Sequence, residues 1–300
     1  MVRCFSFFCL AISLLFSGHS YAFENEVTLE IGSEEREYLL YIPDQYKDIP
    51  HMPLYIVFHG GLGSSKNMRG RTKFDAWADK MGFIVAYPQG KKRTWNAGDC
   101  CFNLAGREGL TPPDDIAFTK AIIYDLAAKF SIDTRKVYAI GHSNGAMMAH
   151  RIGCEMSDMV SAIVAVSGTI KIKECVPLNP VDVLIIHATD DVNVPYEGGE
   201  PLKGIRKLYG KSNDMSVADA FYIWQRNNEC GEVISTPDGE HRYIHECVGS
   251  ARVRHLELTK GGHKLFEKPK RFTPILKGRD RDDDVVNMTD DIMYFLNDKH

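Results

Sequence analysis

The chain has 300 residues, a hydrophobic fraction of 44% and a formal net charge of −4. A chain of this length and apolar content can bury a full hydrophobic core. The slightly acidic balance, without a basic stripe, excludes the concentrated positive surface that nucleic-acid binding requires, so we expect no nucleic-acid partner.

The first 22 residues have the features of a secretory signal peptide. Arg3 precedes an apolar run over residues 5–16, and small and polar residues follow as far as Ala22. The apolar run is too short for a permanent membrane anchor, so we expect cleavage after about Ala22 and a secreted or periplasmic mature chain. We expect residues 23–300 to form a single catalytic domain; the sequence leaves its oligomeric state open.

Six of the eight cysteines lie beyond the predicted signal segment. An even number in an exported chain predicts disulfides, although six cysteines allow many connectivities. The favoured pair is Cys230 with Cys247, which flank a predicted hairpin, and Cys154 with Cys175 comes next. The adjacent Cys100 and Cys101 are then either bonded to each other, or one of them forms a disulfide with another cysteine. No Cys/His spacing supports a zinc site, and the acidic run at 280–284 is typical of a solvated loop, so we expect no bound metal.

Strand and helix patterns alternate along the mature chain. The predicted strands are 26–31, 36–42, 53–58, 83–87, 137–140, 162–166, 181–187 and 253–258, with a hairpin around 237–239. The predicted helices are 74–81, 114–130, 144–152, 217–228 and a closing helix that starts near 287–290 and ends at 296. Such alternation predicts an α/β fold with a mostly parallel central sheet flanked by helices.

A G-x-S-x-G motif joins the strand at 137–140 to the helix at 144–152, with almost nothing between them. In a nucleophile elbow, the glycines allow close packing of strand and helix, and the serine takes a strained backbone conformation that exposes its hydroxyl. The alternative is a tight structural turn, but a chance match would lack the flanking strand and helix. Ser143 is therefore the candidate nucleophile.

A glycine-rich loop, HGGLGS at 59–64, follows the buried strand 53–58. Backbone N–H groups of such a loop can converge on one point and stabilise an oxyanion. A phosphate-binding loop is the rival interpretation, but the Lys-Ser/Thr of a P-loop and the spacing of a dinucleotide fingerprint are both missing.

The acid and the base of a catalytic triad are expected in loops after later strands. The loop after strand 181–187 contains Asp190 and Asp191, either of which fits the acid. His263 follows the last strand and two glycines, which would let its loop reach over the edge of the sheet. The chain order Ser, Asp, His is thereby met.

Four further side chains are expected to contact substrate. Trp95 lies beside two cysteines in the long loop 89–113, which favours an ordered substrate wall. His59 ends a buried strand, His142 precedes the candidate nucleophile and also packs at the elbow, and Tyr196 lies in the loop that carries the acid.

These segments together resemble the secreted esterases related to polyhydroxybutyrate depolymerase and to feruloyl and acetylxylan esterases. The similarity covers most of the mature chain. It rests on HGGLGS at His59, WNAGDCC at Trp95, DDIAF at Asp114, GHSNGAMMAHRIGCE at Gly141, HATDDVNVPYEGG at His187 and GGH at Gly261.

The resemblance implies an α/β-hydrolase fold and a triad in which Asp191, rather than Asp190, joins Ser143 and His263. It also implies an oxyanion hole that is formed by the backbone near Gly61 or Leu62 together with that of Asn144. Family members commonly carry a tryptophan soon after the catalytic histidine, whereas here residues 264–266 read Lys-Leu-Phe.

The predicted activity is hydrolysis of a carboxylic ester through an acyl-enzyme, on a small or oligomeric substrate that carries feruloyl, acetyl or hydroxyalkanoate groups. No metal or organic cofactor is needed for this chemistry. Two alternatives are a peptidase of the same fold and a secreted binding protein that keeps the fold without activity.

Overall fold

The computed structural model describes residues 23–44, 46, 49–101, 111–201, 213–263, 265–266 and 288–298. The predicted signal segment and the acidic run at 280–284 lie outside these residues. The strands are β1 Phe23–Ile31, β2 Glu34–Ile42, β3 Met52–Phe58, β4 Ile84–Pro88, β5 Ile132–His142, β6 Ala162–Val166, β7 Asp182–Ala188, β8 Ile234–Pro237, β9 Arg242–Val248 and β10 Arg252–Leu258. The helices are α1 Ser65–Thr72, α2 Phe74–Met81, α3 Asp115–Lys129, α4 Asn144–Glu155, α5 Val217–Asn227 and α6 Met288–Asn297, with a short 3₁₀ turn at Lys91–Arg93.

The strands form one sheet with the order β1-β2-β4-β3-β5-β6-β7-β10-β9-β8. All neighbours from β4 across to β10 pair in parallel, and antiparallel hairpins extend the sheet at both edges. This confirms the expected α/β class with a mostly parallel centre. The carboxyl ends of β3, β5, β7 and β10 therefore meet along one edge, where active sites of such sheets form.

Two hydrophobic cores lie on the two faces of the sheet. Successive residues of a strand point to opposite faces. In β3, Leu54, Ile56 and Phe58 therefore join one core, and Tyr55 and Val57 join the other. Helices α3, α4 and α5 contribute buried side chains to the first core, and α1, α2 and α6 contribute to the second. Burial on both faces explains why the central strands read as continuous apolar runs.

Helix α1 had no counterpart among the predicted elements. Its sequence, SKNMRGRT, is mostly polar, and its only buried large apolar side chain is Met68. The helix begins at a capping residue, Ser64, whose hydroxyl accepts a hydrogen bond from the backbone N–H of Asn67. A short helix with so few apolar positions has no periodic pattern to detect, so tertiary packing must stabilise it.

Three disulfides link the six cysteines beyond the predicted signal segment, and they resolve the connectivity that the sequence left open. Cys230 bonds to Cys247 and Cys154 to Cys175, as favoured, and Cys100 bonds to its neighbour Cys101. Within the described ranges, no helix is both long enough and apolar enough to cross a bilayer.

Candidate active site

The elbow at the end of β5 holds Ser143 in a strained conformation. Its φ of 56° and ψ of −122° lie in a region that residues with a side chain rarely occupy. A Cβ atom on Gly141 would lie 2.0 Å from the carbonyl oxygen of Gly145, and one on Gly145 would lie 2.4 Å from the carbonyl oxygen of Phe58. Both positions therefore require glycine for α4 to pack this closely against β5 and β3.

A hydrogen-bonded chain connects three side chains from separate loops. The Ser143 hydroxyl lies 2.8 Å from Nε2 of His263, and Nδ1 of His263 lies 2.8 Å from Oδ2 of Asp191. With the proton on Nδ1 donated to the carboxylate, Nε2 is left to accept the hydroxyl proton. The structure thus brings together the three residues that the sequence selected for a triad.

Asp191 and its neighbour Asp190 make different contacts. Oδ1 of Asp191 accepts hydrogen bonds from the backbone N–H groups of Asn193 at 2.8 Å and Val194 at 3.0 Å. Burial alone would raise the pKa of Asp191, but the hydrogen bond to His263, the electrostatic interaction with His263 and His187 and the N–H of Val194 together outweigh it and lower that pKa below its usual value. Asp190 instead accepts a hydrogen bond from the backbone N–H of Gly262 at 2.7 Å. Asp191 therefore faces the imidazole of His263, and Asp190 fixes the loop that carries His263.

His142 and His59 both line the cavity in front of Ser143. Nε2 of His142 donates to the carbonyl oxygen of His263 at 2.8 Å, and burial lowers the pKa of His142 to about 3. His59 accepts a hydrogen bond at Nε2 from the N–H of Gly90 at 3.0 Å, and burial lowers the pKa of His59 to about 4. Both imidazoles are therefore neutral at physiological pH, and each fixes a segment of backbone beside the cavity.

The backbone groups expected to form an oxyanion hole differ in their availability. The N–H of Leu62 is donated to the carbonyl oxygen of Arg93 at 2.7 Å. Within the part of the chain that the structure describes, the N–H of Gly61 donates to no backbone carbonyl. Asn144 is the first residue of α4, where backbone N–H groups lack an intrahelical acceptor and the helix dipole is positive. Gly61 and Asn144 are consequently better placed than Leu62 to receive a developing negative charge.

The cavity has a volume of about 370 Å³, and residues that were not predicted to belong to the site also line it. Arg71 of α1 and Arg93 of the 3₁₀ turn line it, as do Phe266 and the Cys100–Cys101 disulfide. The two arginines could not be selected from the sequence, because neither belongs to a recognisable motif and α1 itself was not predicted. The cavity thus combines two cationic groups with an aromatic ring and a sulfur bridge.

Trp95 does not form the predicted substrate wall. Its side chain is fully buried, and it is absent from the cavity lining. The indole N–H donates to the carbonyl oxygen of His59 at 2.7 Å, and the backbone N–H donates to the side-chain oxygen of Asn144 at 2.7 Å. Trp95 therefore ties the glycine-rich loop to the start of α4 from within the core.

Tyr196 is likewise absent from the cavity lining, which corrects its expected role in substrate binding. Its hydroxyl donates a hydrogen bond to the Glu257 carboxylate at 2.7 Å. The loop after β7 carries Asp191 toward His263, but it turns Tyr196 back against β10.

Residues 36–193 match the family model described as Esterase PHB depolymerase. Feruloyl esterase B of Piromyces equi is 28% identical over 241 residues, which cover 76% of this chain and 42% of that protein. Putative esterase NocK of Nocardia uniformis subsp. tsuyamanensis is 30% identical over 249 residues, which cover 78% of this chain and 71% of that protein. The chain thus spans less than half the length of the first relative.

Solved structures share the architecture. Acetyl xylan esterase from Aspergillus awamori gives a TM-score of 0.57 at 14% identity, covering 80% of this chain and 93% of that chain. A thermostable esterase gives a TM-score of 0.51 at 18% identity, covering 79% of this chain and 55% of that chain. At these identities the similarity establishes the fold, which is the predicted α/β-hydrolase fold.

Proposed function

Because the chain belongs to the esterase PHB depolymerase family, we propose that it is a serine carboxylic-ester hydrolase that works through an acyl-enzyme. The observation that carries the proposal is the hydrogen-bonded chain from Ser143 through His263 to Asp191, with Ser143 and His263 at the wall of the cavity. Nucleophile, base and orienting acid stand in the relation that acyl transfer requires.

In the acylation step, Nε2 of His263 takes the hydroxyl proton while Oγ of Ser143 bonds to the ester carbonyl carbon. The electron pair of the C=O bond moves to its oxygen, which the N–H groups of Gly61 and Asn144 stabilise. The imidazolium then gives its proton to the alcohol oxygen as the C–O bond breaks. Asp191 holds the imidazole in the required tautomer and stabilises its charged form.

In the deacylation step, the roles repeat with water as the nucleophile. His263 takes a proton from the water molecule, and the water oxygen bonds to the acyl carbon. Collapse of the intermediate breaks the bond to Oγ of Ser143, which recovers its proton from the imidazolium. The products are a carboxylic acid and the free enzyme.

The substrates that we propose are feruloyl, acetyl or hydroxyalkanoate esters. The support comes from the family and from relatives named as feruloyl esterase and as acetylxylan esterase/xylanase, the latter from Neocallimastix patriciarum. A volume of about 370 Å³ also suits a small acyl group, since ligand pockets commonly enclose about 300–1,000 Å³.

The same proposal places the mature chain outside the cytoplasm. Three disulfides support this, because disulfides persist mainly in oxidising compartments. The composition of residues 1–22 fits a removable signal segment. N-terminal sequencing of the exported protein should start near Phe23.

The test compares wild type with Ser143→Ala on a panel of p-nitrophenyl, feruloyl, acetylxylan and hydroxybutyrate esters. Loss of the nucleophile should reduce turnover by at least about 10³-fold, since removal of one triad member leaves only the contribution of binding and the oxyanion hole. Ser33→Ala is the matched control, because Ser33 is an exposed serine in the turn between β1 and β2.

Two further readouts separate the alternatives. A fluorophosphonate should label wild type and Ser33→Ala but not Ser143→Ala, whereas an inert binding protein would label in none of them. A matched peptide panel should remain uncleaved, and preferential peptide cleavage would indicate a peptidase. Full ester turnover by a correctly folded Ser143→Ala variant would refute the serine mechanism.

A further inference from the structure

A second group of ionisable side chains lies away from the triad, on the paired strands β9 and β10. His245 and His255 are directly opposite each other in the antiparallel register, and Glu257 follows two residues after His255. Because residues two apart on a strand share a face, all three side chains project from the same side of the sheet. One ligand atom from each lies within 4.8 Å of the others.

Two imidazole nitrogens of this His-His-Glu cluster, one from each histidine, are buried without a hydrogen-bond partner in the described part of the chain. His255 is only 4% exposed, and its Nε2 has no hydrogen-bond partner within the described part of the chain. The same holds for Nε2 of His245, which lies 3.4 Å from the Glu257 carboxylate. Buried polar atoms are nearly always satisfied, so two such nitrogens beside one carboxylate indicate a missing electrophilic partner.

Neighbouring side chains form hydrogen bonds with His245 and Glu257, as neighbours of metal ligands commonly do. Nδ1 of His245 lies 2.8 Å from the hydroxyl of Ser235 on β8; when that nitrogen carries the proton, Nε2 is free to bind a cation. The Glu257 carboxylate accepts a hydrogen bond from Tyr196 at 2.7 Å. Protein metal sites typically show both features, a histidine that donates its other N–H and a hydrogen-bonded carboxylate.

We infer that His245, His255 and Glu257 form a binding site for a divalent transition metal of the zinc class. Imidazole nitrogens with one carboxylate suit zinc, copper and nickel, whereas calcium and magnesium prefer sites made entirely of oxygen. Two ligands at about 2.1 Å from one ion are at most about 4.2 Å apart, so a small side-chain movement closes the cluster on the metal. The side chains of His245 and Glu257 are 26% and 23% exposed, which gives the ion a route from solvent.

The site has a structural consequence because its ligands come from two strands. A bound ion would cross-link β9 to β10, and through Tyr196 it would also fix the loop that leaves β7 with Asp191. Residue 187 of β7 pairs in register with Glu257, and Nε2 of His187 lies 3.5 Å from the Asp191 carboxylate. Metal binding should therefore stabilise the part of the sheet that carries two members of the triad.

The test is a titration of untagged, chelator-stripped protein with zinc chloride, followed by calorimetry and by thermal unfolding. Wild type should bind one zinc ion per chain at this site and unfold at a higher temperature, because a ligand that binds only the folded state stabilises it. Calcium chloride should produce neither effect. Glu257→Gln keeps the shape of the side chain and should weaken zinc binding by at least about tenfold, since loss of even an outer partner costs about 10–100-fold.

Three variants complete the design. His255→Ala should also lose affinity by at least about tenfold. His51→Asn should bind as wild type does, because His51 is an exposed histidine with a φ of 55°, a conformation that asparagine tolerates. Asp191→Asn should also bind zinc normally, which separates this site from the triad.

Several outcomes would overturn the inference. Folded wild type that neither releases heat nor gains thermal stability with zinc has no such site. Zinc affinity that survives Glu257→Gln, or that disappears in Asp191→Asn, would place the ion elsewhere. The test does not depend on esterase activity, so its failure would leave the proposed function untouched.

Discussion

Asp190 and Asp191 are adjacent and chemically identical, and only their positions on the loop after β7 give them different contacts. Asp191 faces the imidazole of His263, and Asp190 receives the backbone N–H of Gly262. We predict that Asp191→Asn lowers kcat by about 10⁴-fold, because an amide favours the wrong imidazole tautomer and cannot stabilise the imidazolium. Steady-state ester hydrolysis measures this loss.

Asp190→Asn is the control for that variant. The side-chain amide oxygen still accepts the hydrogen bond from Gly262, so the loop that carries His263 should keep its position. Its kcat should stay far closer to that of wild type. Equal losses in the two variants, with circular dichroism unchanged, would contradict the assignment of Asp191 as the acid.

Single residues also show where the sequence was insufficient. The choice between Asp190 and Asp191 rested on the family pattern, and the contacts agree with that choice. The position of Trp95 beside two cysteines in a long loop predicts an ordered substrate wall. The structure instead buries its ring and uses its indole N–H to hold the carbonyl group of His59. A sequence shows that a tryptophan lies near a site, but its direction depends on packing across the fold.

The elbow is the element that the sequence predicted most completely. A strand, a G-x-S-x-G turn and a helix are contiguous in the chain, so local patterns were enough to identify them. The structure adds that Gly145 sits against the end of β3, where a Cβ atom would lie 2.4 Å from the carbonyl oxygen of Phe58 and 2.6 Å from that of His59. Close packing between α4 and β3 depends on this glycine.

We therefore predict that Gly145→Ala lowers both stability and activity. The methyl group meets backbone atoms that cannot rotate away, so α4 must shift, and overpacking of this kind costs about 1–3 kcal/mol. Because Ser143 lies just before α4, the shift should also reduce kcat. Urea unfolding gives the change in free energy, and ester turnover gives the loss of rate.

Gly70 provides a matched control within α1. A Cβ atom there would meet no heavy atom within 4 Å, and alanine forms helices better than glycine. Gly70→Ala should accordingly stabilise the protein by as much as about 1 kcal/mol and leave turnover unchanged. If both substitutions had the same effect on the free energy of unfolding, close packing at the elbow would not explain the need for Gly145.

For the sheet as a whole, the sequence predicts which segments are strands but not their order. Pairings such as β2 with β4 and β7 with β10 join residues far apart in the chain, and local patterns carry no record of them. The convergence of the triad could still be anticipated, because parallel strands bring their carboxyl ends to one edge. The His-His-Glu cluster could not, since it depends on the register between β9 and β10.

Buried neutral histidines give the molecule a characteristic dependence on pH. His150 is fully buried, and its Nδ1 accepts a hydrogen bond from the indole N–H of Trp224 at 3.0 Å. Burial lowers the pKa of His150 from 6.5 to about 3. Below pH 6.5 the unfolded chain therefore binds a proton that the folded chain refuses until about pH 3. The free energy of unfolding should therefore decrease as the pH is lowered through this window, by about 1.4 kcal/mol per pH unit for each such histidine.

We predict that His150→Asn reduces that slope by about one proton, or about 1.4 kcal/mol per pH unit. Asparagine does not titrate, and its side-chain oxygen can replace Nδ1 as the acceptor for Trp224. The substitution can also change the absolute stability through altered packing. The comparison is therefore between the slopes of unfolding free energy against pH, measured by urea unfolding at several pH values between about 3 and 6.5. His51→Asn, which makes the same substitution at an exposed histidine, is the matched control. An unchanged slope in His150→Asn would mean that His150 binds its proton equally well in the folded and unfolded chain. The loss of stability in acid would then have to come from other groups, such as His59 and His142.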